Sequence, residues 1–193
     1  MVEILGIGPP PTAGLVGKHK KTQPSILMRQ FHVAVAAEAF AAGLFAQAGC
    51  DVSVQYGANQ PEYDLIASRD DRFLKISVKG SQDGGWGLIQ SHKKQGVSYA
   101  EAAAGWATAQ SQKVIYCLVQ FQGKPIGSCP DVFLASVEEI ATQLKSSRNG
   151  HGNTILYVDY TYKKGIASGS RDLLPQYWKF STERLRQLFA EYG

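Results

Sequence analysis

Two short apolar segments joined by a polar turn constrain the fold of this chain more than any other feature. They lie within Gln60–Ser81, where the apolar runs cover residues 63–67 and 73–78. The residues between them, 68–72, are Ser-Arg-Asp-Asp-Arg. Apolar-rich runs separated by about five turn-forming residues are typical of a β-hairpin. The sequence therefore predicts two antiparallel strands joined by a turn over residues 68–72.

Strand geometry sorts the side chains of the second predicted strand onto two faces. Because successive side chains point in opposite directions, Ser77 and Lys79 share one face while Ile76 and Val78 share the other. Asp64 lies near the start of the first strand and Lys79 at the end of the second. A hairpin can bring these two side chains together. A carboxylate that binds a metal, beside a lysine that orients water, is suited to phosphodiester hydrolysis.

Each of these two residues also has an ordinary explanation. Aspartate is common at turns and strand starts because its side chain accepts hydrogen bonds from nearby backbone. A lysine at a strand end is usually exposed to solvent. The catalytic interpretation depends on Asp64 and Lys79 occurring together in one predicted hairpin.

The order and spacing of these residues are similar to a known motif. Pro61 to Asp64, followed by Ile76-Ser77-Val78-Lys79, resembles the core of the PD-(D/E)XK nuclease superfamily, which includes restriction-type enzymes and Holliday-junction resolvases. Members have an acid after a proline on one strand and an acid-any-lysine triplet on the next. The resemblance implies an α/β fold with a mixed sheet flanked by helices, in a restriction-endonuclease-like core. It also implies an endonuclease that hydrolyses DNA with Mg²⁺ or Mn²⁺.

The resemblance assigns roles to individual residues. Lys79, Asp64 and Glu38 would be catalytic, since members often carry a glutamate on an upstream helix. Asp64, Glu38 and Glu62 would hold the metal, and Lys79 would orient the attacking water. Glu38 has a second interpretation, as a solvent-facing residue on the polar stripe of its helix, and the sequence leaves both open. Asp83 is a further candidate acid, in a glycine-rich loop.

Two positions depart from the family pattern. Glu62 and Tyr63 separate the proline from Asp64, and Ser77 stands where the family has Glu, Asp or Gln. A serine hydroxyl is a weaker ligand for a hard cation than a carboxylate is. Glu62 lies two residues before Asp64 and could supply the missing carboxylate. The alternative is a catalytically inactive nuclease-fold module that binds DNA or another protein.

Charge favours a nucleic-acid partner without requiring one. The chain has 193 residues, a net charge of +4 and a pI of about 8.9. We expect a single domain over residues 26–193, after a flexible basic arm over residues 1–25 that is rich in Pro and Gly. The lysines expected to contact DNA phosphates are Lys20, Lys21, Lys93, Lys94, Lys163 and Lys164. A solvated tail and ordinary surface loops are the alternatives for these segments.

Several other function classes have no support in the sequence. The three cysteines form no CxxC pair, and the four histidines show no HxH or HExxH spacing, so no zinc site is indicated. We interpret the histidines as surface or packing residues. No apolar run reaches the roughly 18 residues of a transmembrane helix. We therefore expect a cytoplasmic protein with DNA as partner and no membrane contact, and leave a homodimer open.

The remaining elements follow from periodicity and capping residues. We predict helices from Ser25 to about Ala48, over 98–110, over 137–145 and over 181–192. Further strands are predicted over 51–57, 86–90, 113–121, 131–135 and 154–162. Residues 113–121 are nearly continuously apolar, so that strand is expected to be buried on both faces.

Overall fold

A five-stranded mixed sheet with helices on both faces forms the centre of the protein. The structure is a computed structural model that describes residues 28–55 and 62–193. Its helices are α1 (Gln30–Gln47), α2 (Tyr99–Ala109), α3 (Val137–Ser146) and α4 (Thr182–Tyr192). Its strands are β1 (Asp51–Val54), β2 (Leu65–Arg69), β3 (Arg72–Ser81), β4 (Gly85–Gly87), β5 (Val114–Gln120), β6 (Asp131–Ser136), β7 (Ile155–Tyr157), β8 (Asp159–Thr161) and β9 (Arg171–Leu173).

The predicted fold class, α/β with a mixed sheet flanked by helices, is confirmed. The strand order is β1-β2-β3-β5-β6, in which only β3 and β5 run parallel. Parallel neighbours need a crossover connection, and the segment between them contains β4 and α2. Two smaller sheets, β4 with β7 and β8 with β9, complete the described strands.

Each face of the sheet is covered by its own pair of helices. Ala37 of α1 and Leu188 of α4 pack with Ile76 of β3 on one face. Trp106 of α2 and Ile140 of α3 belong to the core on the other face. Strand β5 lies between β3 and β6 and is buried along its whole length, as its apolar sequence predicts. The strand on which the candidate lysine lies is therefore held between two packed layers.

The hairpin β2–β3 is confirmed, but its turn is shorter than predicted. Arg69 pairs with Arg72, so the turn consists of Asp70 and Asp71 alone rather than residues 68–72. Their φ angles are 51° and 61°, in the left-handed region. Two-residue turns with two positive φ angles match the twist of hairpin strands, and aspartate tolerates this conformation. The flanking polar residues consequently belong to the strands.

Helix α1 begins later than predicted. Its N-cap position is held by Arg29, which makes no side-chain cap, and Ser25 lies outside the described residues. The residue before the helix cap is hydrogen-bonded to Gln82, which is distant from it in the sequence. The side-chain amide of Gln82 accepts a hydrogen bond from the Met28 N–H (2.9 Å) and donates one to the Met28 carbonyl (2.6 Å). A contact between residues so far apart in sequence leaves no local signal.

The predicted strand over 154–162 is two strands in different sheets. Strand β7 pairs with β4 and strand β8 pairs with β9, which was not predicted. Val158 separates them: its N–H donates to the Gly84 carbonyl and its carbonyl accepts from the Leu174 N–H, each at 3.0 Å. Tertiary partners therefore divide a segment whose composition is uniformly strand-like. The predicted strand over 86–90 is likewise shortened to β4, because a 3₁₀ turn (Gln90–His92) follows.

No described helix is long and apolar enough to cross a bilayer.

Candidate functional site

A pocket of about 450 Å³ opens between the β2–β3 hairpin and α2. Its hairpin wall is formed by Glu62, Asp64, Ser77 and Lys79, with Tyr116 of the adjacent strand β5 beside Ser77, and the far wall includes His92, Trp106 and Gln110. The hairpin register explains the first wall. Leu65 pairs with Ile76, so the residues just before and just after this pair face the opposite side of the sheet from the Ile76 core.

The alternation predicted for β3 is present. Ile76 and Val78 are buried in the core under α1, whereas Ser77 and Lys79 line the pocket. Ser77 is only 3% exposed, so it forms the floor of the pocket rather than its rim. The backbone at the end of β3 is held by Trp86, whose indole N–H donates to the Lys79 carbonyl at 2.8 Å.

The Asp64 carboxylate is held in place by the neighbouring strand. Its Oδ2 atom accepts a hydrogen bond from the Val78 backbone N–H at 2.6 Å and a longer one from Ser77 Oγ at 3.4 Å. Hydrogen bonds to an ionised acceptor are among the stronger ones in proteins. Within the described residues, Oδ1 accepts no side-chain hydrogen bond, so one oxygen of Asp64 is left for a ligand.

Lys79 and Asp64 share the pocket without forming a direct ion pair. The described ion pairs within 4.0 Å join Lys124 to Asp131, Arg171 to Asp159 and Arg184 to Glu139, and none involves a pocket residue. The Asp64 carboxylate and the Lys79 ammonium therefore lie more than 4.0 Å apart, and the hairpin brings them into one pocket without a direct hydrogen bond.

Glu62 and Glu38 have different positions relative to the pocket. Glu62 is exposed and lines the same wall as Asp64. Glu38 is half-buried on α1 and does not line the pocket, but it lies within electrostatic reach of it. Burial and the negative charge of Asp64 raise the pKa of Glu38, while the positive charge of Lys79 lowers it by less. Glu38 is therefore not simply a solvent-facing residue.

Tyr116 is a neutral hydrogen-bond donor facing the acids. Burial, followed by the negative charges of Glu62 and Asp64, raises the pKa of Tyr116 to about 12. Its hydroxyl donates to Gln110 Oε1 at 2.8 Å. The parallel register pairs Tyr116 with Ser77 on the adjacent strand. Tyr116 thus stays protonated at neutral pH and links the floor of the pocket to the end of α2.

The residues present fit a magnesium ion that is shared with a substrate. In the described parts of the chain, no group of three or more His, Cys, Asp or Glu side chains is arranged to hold a metal. Magnesium usually takes one or two carboxylates and completes its octahedral shell with waters and phosphate oxygens. Asp64, whose Oδ1 accepts no side-chain hydrogen bond from the part of the chain that the structure describes, and Glu62 could provide that smaller ligand set.

None of the described lysines predicted to contact DNA lines the pocket. Lys93 and Lys94 directly follow His92, which lines the pocket. Lys163 and Lys164 are exposed in the loop between β8 and β9. The predicted contacts Lys20 and Lys21, together with the rest of the arm, lie outside the described residues. Asp83, the further candidate acid, is exposed and accepts a hydrogen bond from Ser81 Oγ at 2.7 Å.

Sequence reasoning missed the far wall of the pocket. His92, interpreted from the sequence as a surface or packing residue, lines the pocket, and so does the buried Trp106. A signal for Tyr116 was present, because it is a polar-tipped residue inside the apolar run 113–121. Nothing local pointed to His92, which reaches the pocket through the fold of the connection after β4.

No protein-family model matches the chain, and no curated protein matches it in sequence. A functional assignment therefore depends on the chemistry of the pocket itself.

Proposed function

We propose that this protein is a metal-dependent nuclease of the PD-(D/E)XK type that hydrolyses DNA phosphodiester bonds. The observation that carries the proposal is that Asp64, Glu62 and Lys79 line one wall of the same pocket. Two carboxylates and an ammonium group on one surface suit a reaction in which a phosphate, a cation and a water must meet.

Each residue has a defined task in this reaction. The Val78 N–H orients the Asp64 carboxylate, and Asp64 and Glu62 are the residues that would hold a divalent cation. A bound Mg²⁺ or Mn²⁺ supplies Lewis-acid charge to the scissile phosphate. The Lys79 ammonium orients the attacking water and stabilises the negative charge that develops on the phosphate oxygens. Glu38 adds negative charge near the cation from the α1 side of the sheet.

Because residue 77 is a serine, we expect DNA cleavage to be slow. With serine in place of the family's second acid, the cation is held by fewer carboxylates, and its affinity follows ligand charge. Wild-type cleavage is expected to be weak with Mg²⁺ and stronger with Mn²⁺, because Mn²⁺ accepts mixed ligand sets more readily.

The same residue favours one alternative, a catalytically inactive module that binds DNA or a protein through the nuclease fold. Its support is the hydroxyl of Ser77 at the acid position, together with the absence of a three-acid group in the described part of the chain.

A supercoiled-plasmid nicking assay with Mg²⁺ and with Mn²⁺ tests the proposal. Asp64→Asn and Lys79→Ala are expected to abolish nicking. Two matched controls make the same charge changes at residues that do not line the pocket. They are Asp71→Asn in the hairpin turn and Lys75→Ala, which replaces an exposed lysine on the pocket side of β3. Nicking that survives both pocket variants would place the activity elsewhere. Absent nicking, with DNA binding retained in EDTA, would favour the inactive module.

A further inference from the structure

We propose that a strip of aromatic and cationic side chains beside the pocket binds single-stranded nucleic acid. The strip is formed by Lys93, Tyr99, Arg148, Tyr162, Tyr160 and Tyr157. That the strip binds part of a nuclease substrate rests on the proposed nuclease function. In that case the DNA that reaches the pocket carries an unpaired segment. Binding itself is measurable without any cleavage.

The first half of the strip leads away from the pocket through ring–cation contacts. Lys93 follows His92 of the pocket wall, and its Nζ lies 5.0 Å from the Tyr99 ring centroid. The Arg148 guanidinium lies 5.3 Å from the Tyr99 ring and 5.9 Å from the Tyr162 ring. Cations and rings therefore alternate along one continuous surface, as a strand of phosphates and bases requires.

The second half of the strip is a cluster of tyrosines. Tyr160 stacks on Tyr157 with ring centroids 4.3 Å apart and planes at 16°, and it meets the edge of Tyr162 at 4.9 Å. Tyr160 is 41% exposed, so part of its ring is open to a base. Tyr157 pairs with Gly85 of β4, and Gly87 of the same strand lines the pocket. Strand β4 therefore connects the tyrosine end of the strip to the lining of the pocket.

Partly buried hydrogen bonds hold the middle of the strip, at Tyr162 and Arg148, before any ligand arrives. The Tyr162 hydroxyl donates to Asp172 Oδ2 at 2.7 Å and accepts from Asn153 Nδ2 at 2.6 Å. Asp172 is 7% exposed and also accepts from the Arg148 backbone N–H at 2.9 Å. A surface held in one arrangement loses little conformational entropy on binding, which favours affinity.

The cations of the strip are available to phosphates. Within the described residues, no ion pair within 4.0 Å involves Lys93, Arg148 or the neighbouring Lys163 and Lys164. Single strands are favoured over duplex because a ring can stack only on a base whose face is exposed. Duplex DNA would be held by the cations alone.

The test is fluorescence anisotropy in EDTA with a labelled single-stranded oligonucleotide and with the duplex of the same sequence. Wild type is expected to bind the single strand more tightly. Tyr160→Leu, which keeps apolar bulk but removes the ring, is expected to weaken single-strand binding about tenfold, since the stacking of one base on the ring is lost. Tyr160→Phe keeps the ring and is expected to bind like wild type. Duplex binding is expected to be unchanged in both.

Tyr177→Leu is the matched control, because Tyr177 is a 58% exposed tyrosine whose described ring contacts are with Arg184 and Trp178 and not with a residue of the strip. Lys93→Gln is a second probe that disturbs no buried hydrogen bond, and it is expected to weaken binding of both DNA forms. Thermal unfolding checks that each variant is folded. Equal single-strand binding by Tyr160→Leu and wild type, or an equal loss in Tyr177→Leu, would overturn the strip.

The proposal of the strip and the proposal of the nuclease can be overturned independently. Ring-dependent single-strand binding by a protein that never nicks DNA would overturn the nuclease and support the strip. Nicking that requires Asp64 and Lys79, without any effect of Tyr160→Leu on single-strand affinity, would overturn the strip alone.

Discussion

Ser77 sets how much negative charge the pocket can offer to a cation. Replacing it with Glu adds a carboxylate beside Asp64, and we expect Mg²⁺ and Mn²⁺ to bind about tenfold more tightly, since affinity follows ligand charge. Without metal, Ser77→Glu is expected to lose ~1–3 kcal/mol of unfolding free energy, because the position is 3% exposed and faces another carboxylate.

Calorimetric metal titration and urea unfolding measure these two effects, with Ser77→Ala as the control that adds no charge. If Ser77→Glu binds metal no more tightly than wild type, residue 77 does not contact the cation.

The raised pKa of Glu38 gives the protein a pH dependence with a defined sign. Burial and Asp64 make its ionisation unfavourable in the folded state. The resulting loss of stability is absent below its ordinary pKa of 4.5 and complete above the raised value. Relative to wild type, Glu38→Gln is therefore expected to gain stability as pH rises from acid to neutral. Excess Mg²⁺ is expected to reduce the difference.

Thermal unfolding midpoints across this pH range provide the measurement, and Glu101 provides a control of opposite sign. Hydrogen bonds from Ser98 at the start of α2 lower the pKa of Glu101. Glu101→Gln is thus expected to lose stability, relative to wild type, as pH rises. A pH-independent difference for Glu38→Gln would contradict a raised pKa of Glu38 in the folded protein.

The contact between β3 and α1 depends on Gly80. A Cβ atom at this position would lie 2.8 Å from the Val33 carbonyl oxygen and 2.9 Å from the Ala37 Cβ. Gly80→Ala is therefore expected to cost ~1–3 kcal/mol of stability by overpacking. It is also expected to slow nicking, because the displaced helix carries Glu38.

Urea denaturation measures the stability change, and Gly43→Ala is the matched control on α1 itself. A Cβ at Gly43 has no neighbour within 4 Å, so this variant is expected to gain up to about 1 kcal/mol from helix propensity. If Gly80→Ala is as stable as wild type, α1 and β3 are not packed as closely as described.

Local sequence patterns predicted the features that depend on residues close together in the chain. Alternation placed Ser77 and Lys79 on the pocket face, and apolar continuity identified β5 as a buried strand. The patterns failed where distant partners decide the structure. Val158 divides β7 from β8 by bonding to Gly84 and Leu174. The far wall of the pocket could not be predicted because His92 and Trp106 lie in the long connection between β3 and β5, which tertiary packing folds over the hairpin.

The distribution of charge over the protein predicts salt-dependent DNA binding. Each phosphate contact releases counterions, so the affinity is expected to fall with rising salt. The double variant Lys163→Gln, Lys164→Gln is expected to reduce the slope of log affinity against log salt by up to about 2. Lys124→Gln is the control for a lost lysine charge, since Lys124 is already paired with Asp131 at 2.9 Å. Salt-independent anisotropy titrations would contradict this account.

The parallel pairing of β3 with β5 also has a kinetic consequence. The β2–β3 hairpin closes through a two-residue turn, whereas Lys79 acquires its partner Leu118 only after the connection containing α2 has folded. Pairings that close long loops form late, because chain entropy is lost before contacts are gained. We expect the pocket to be completed after the folding transition state. A bound cation would then slow unfolding and leave the folding rate unchanged, which stopped-flow measurements with and without Mn²⁺ can determine.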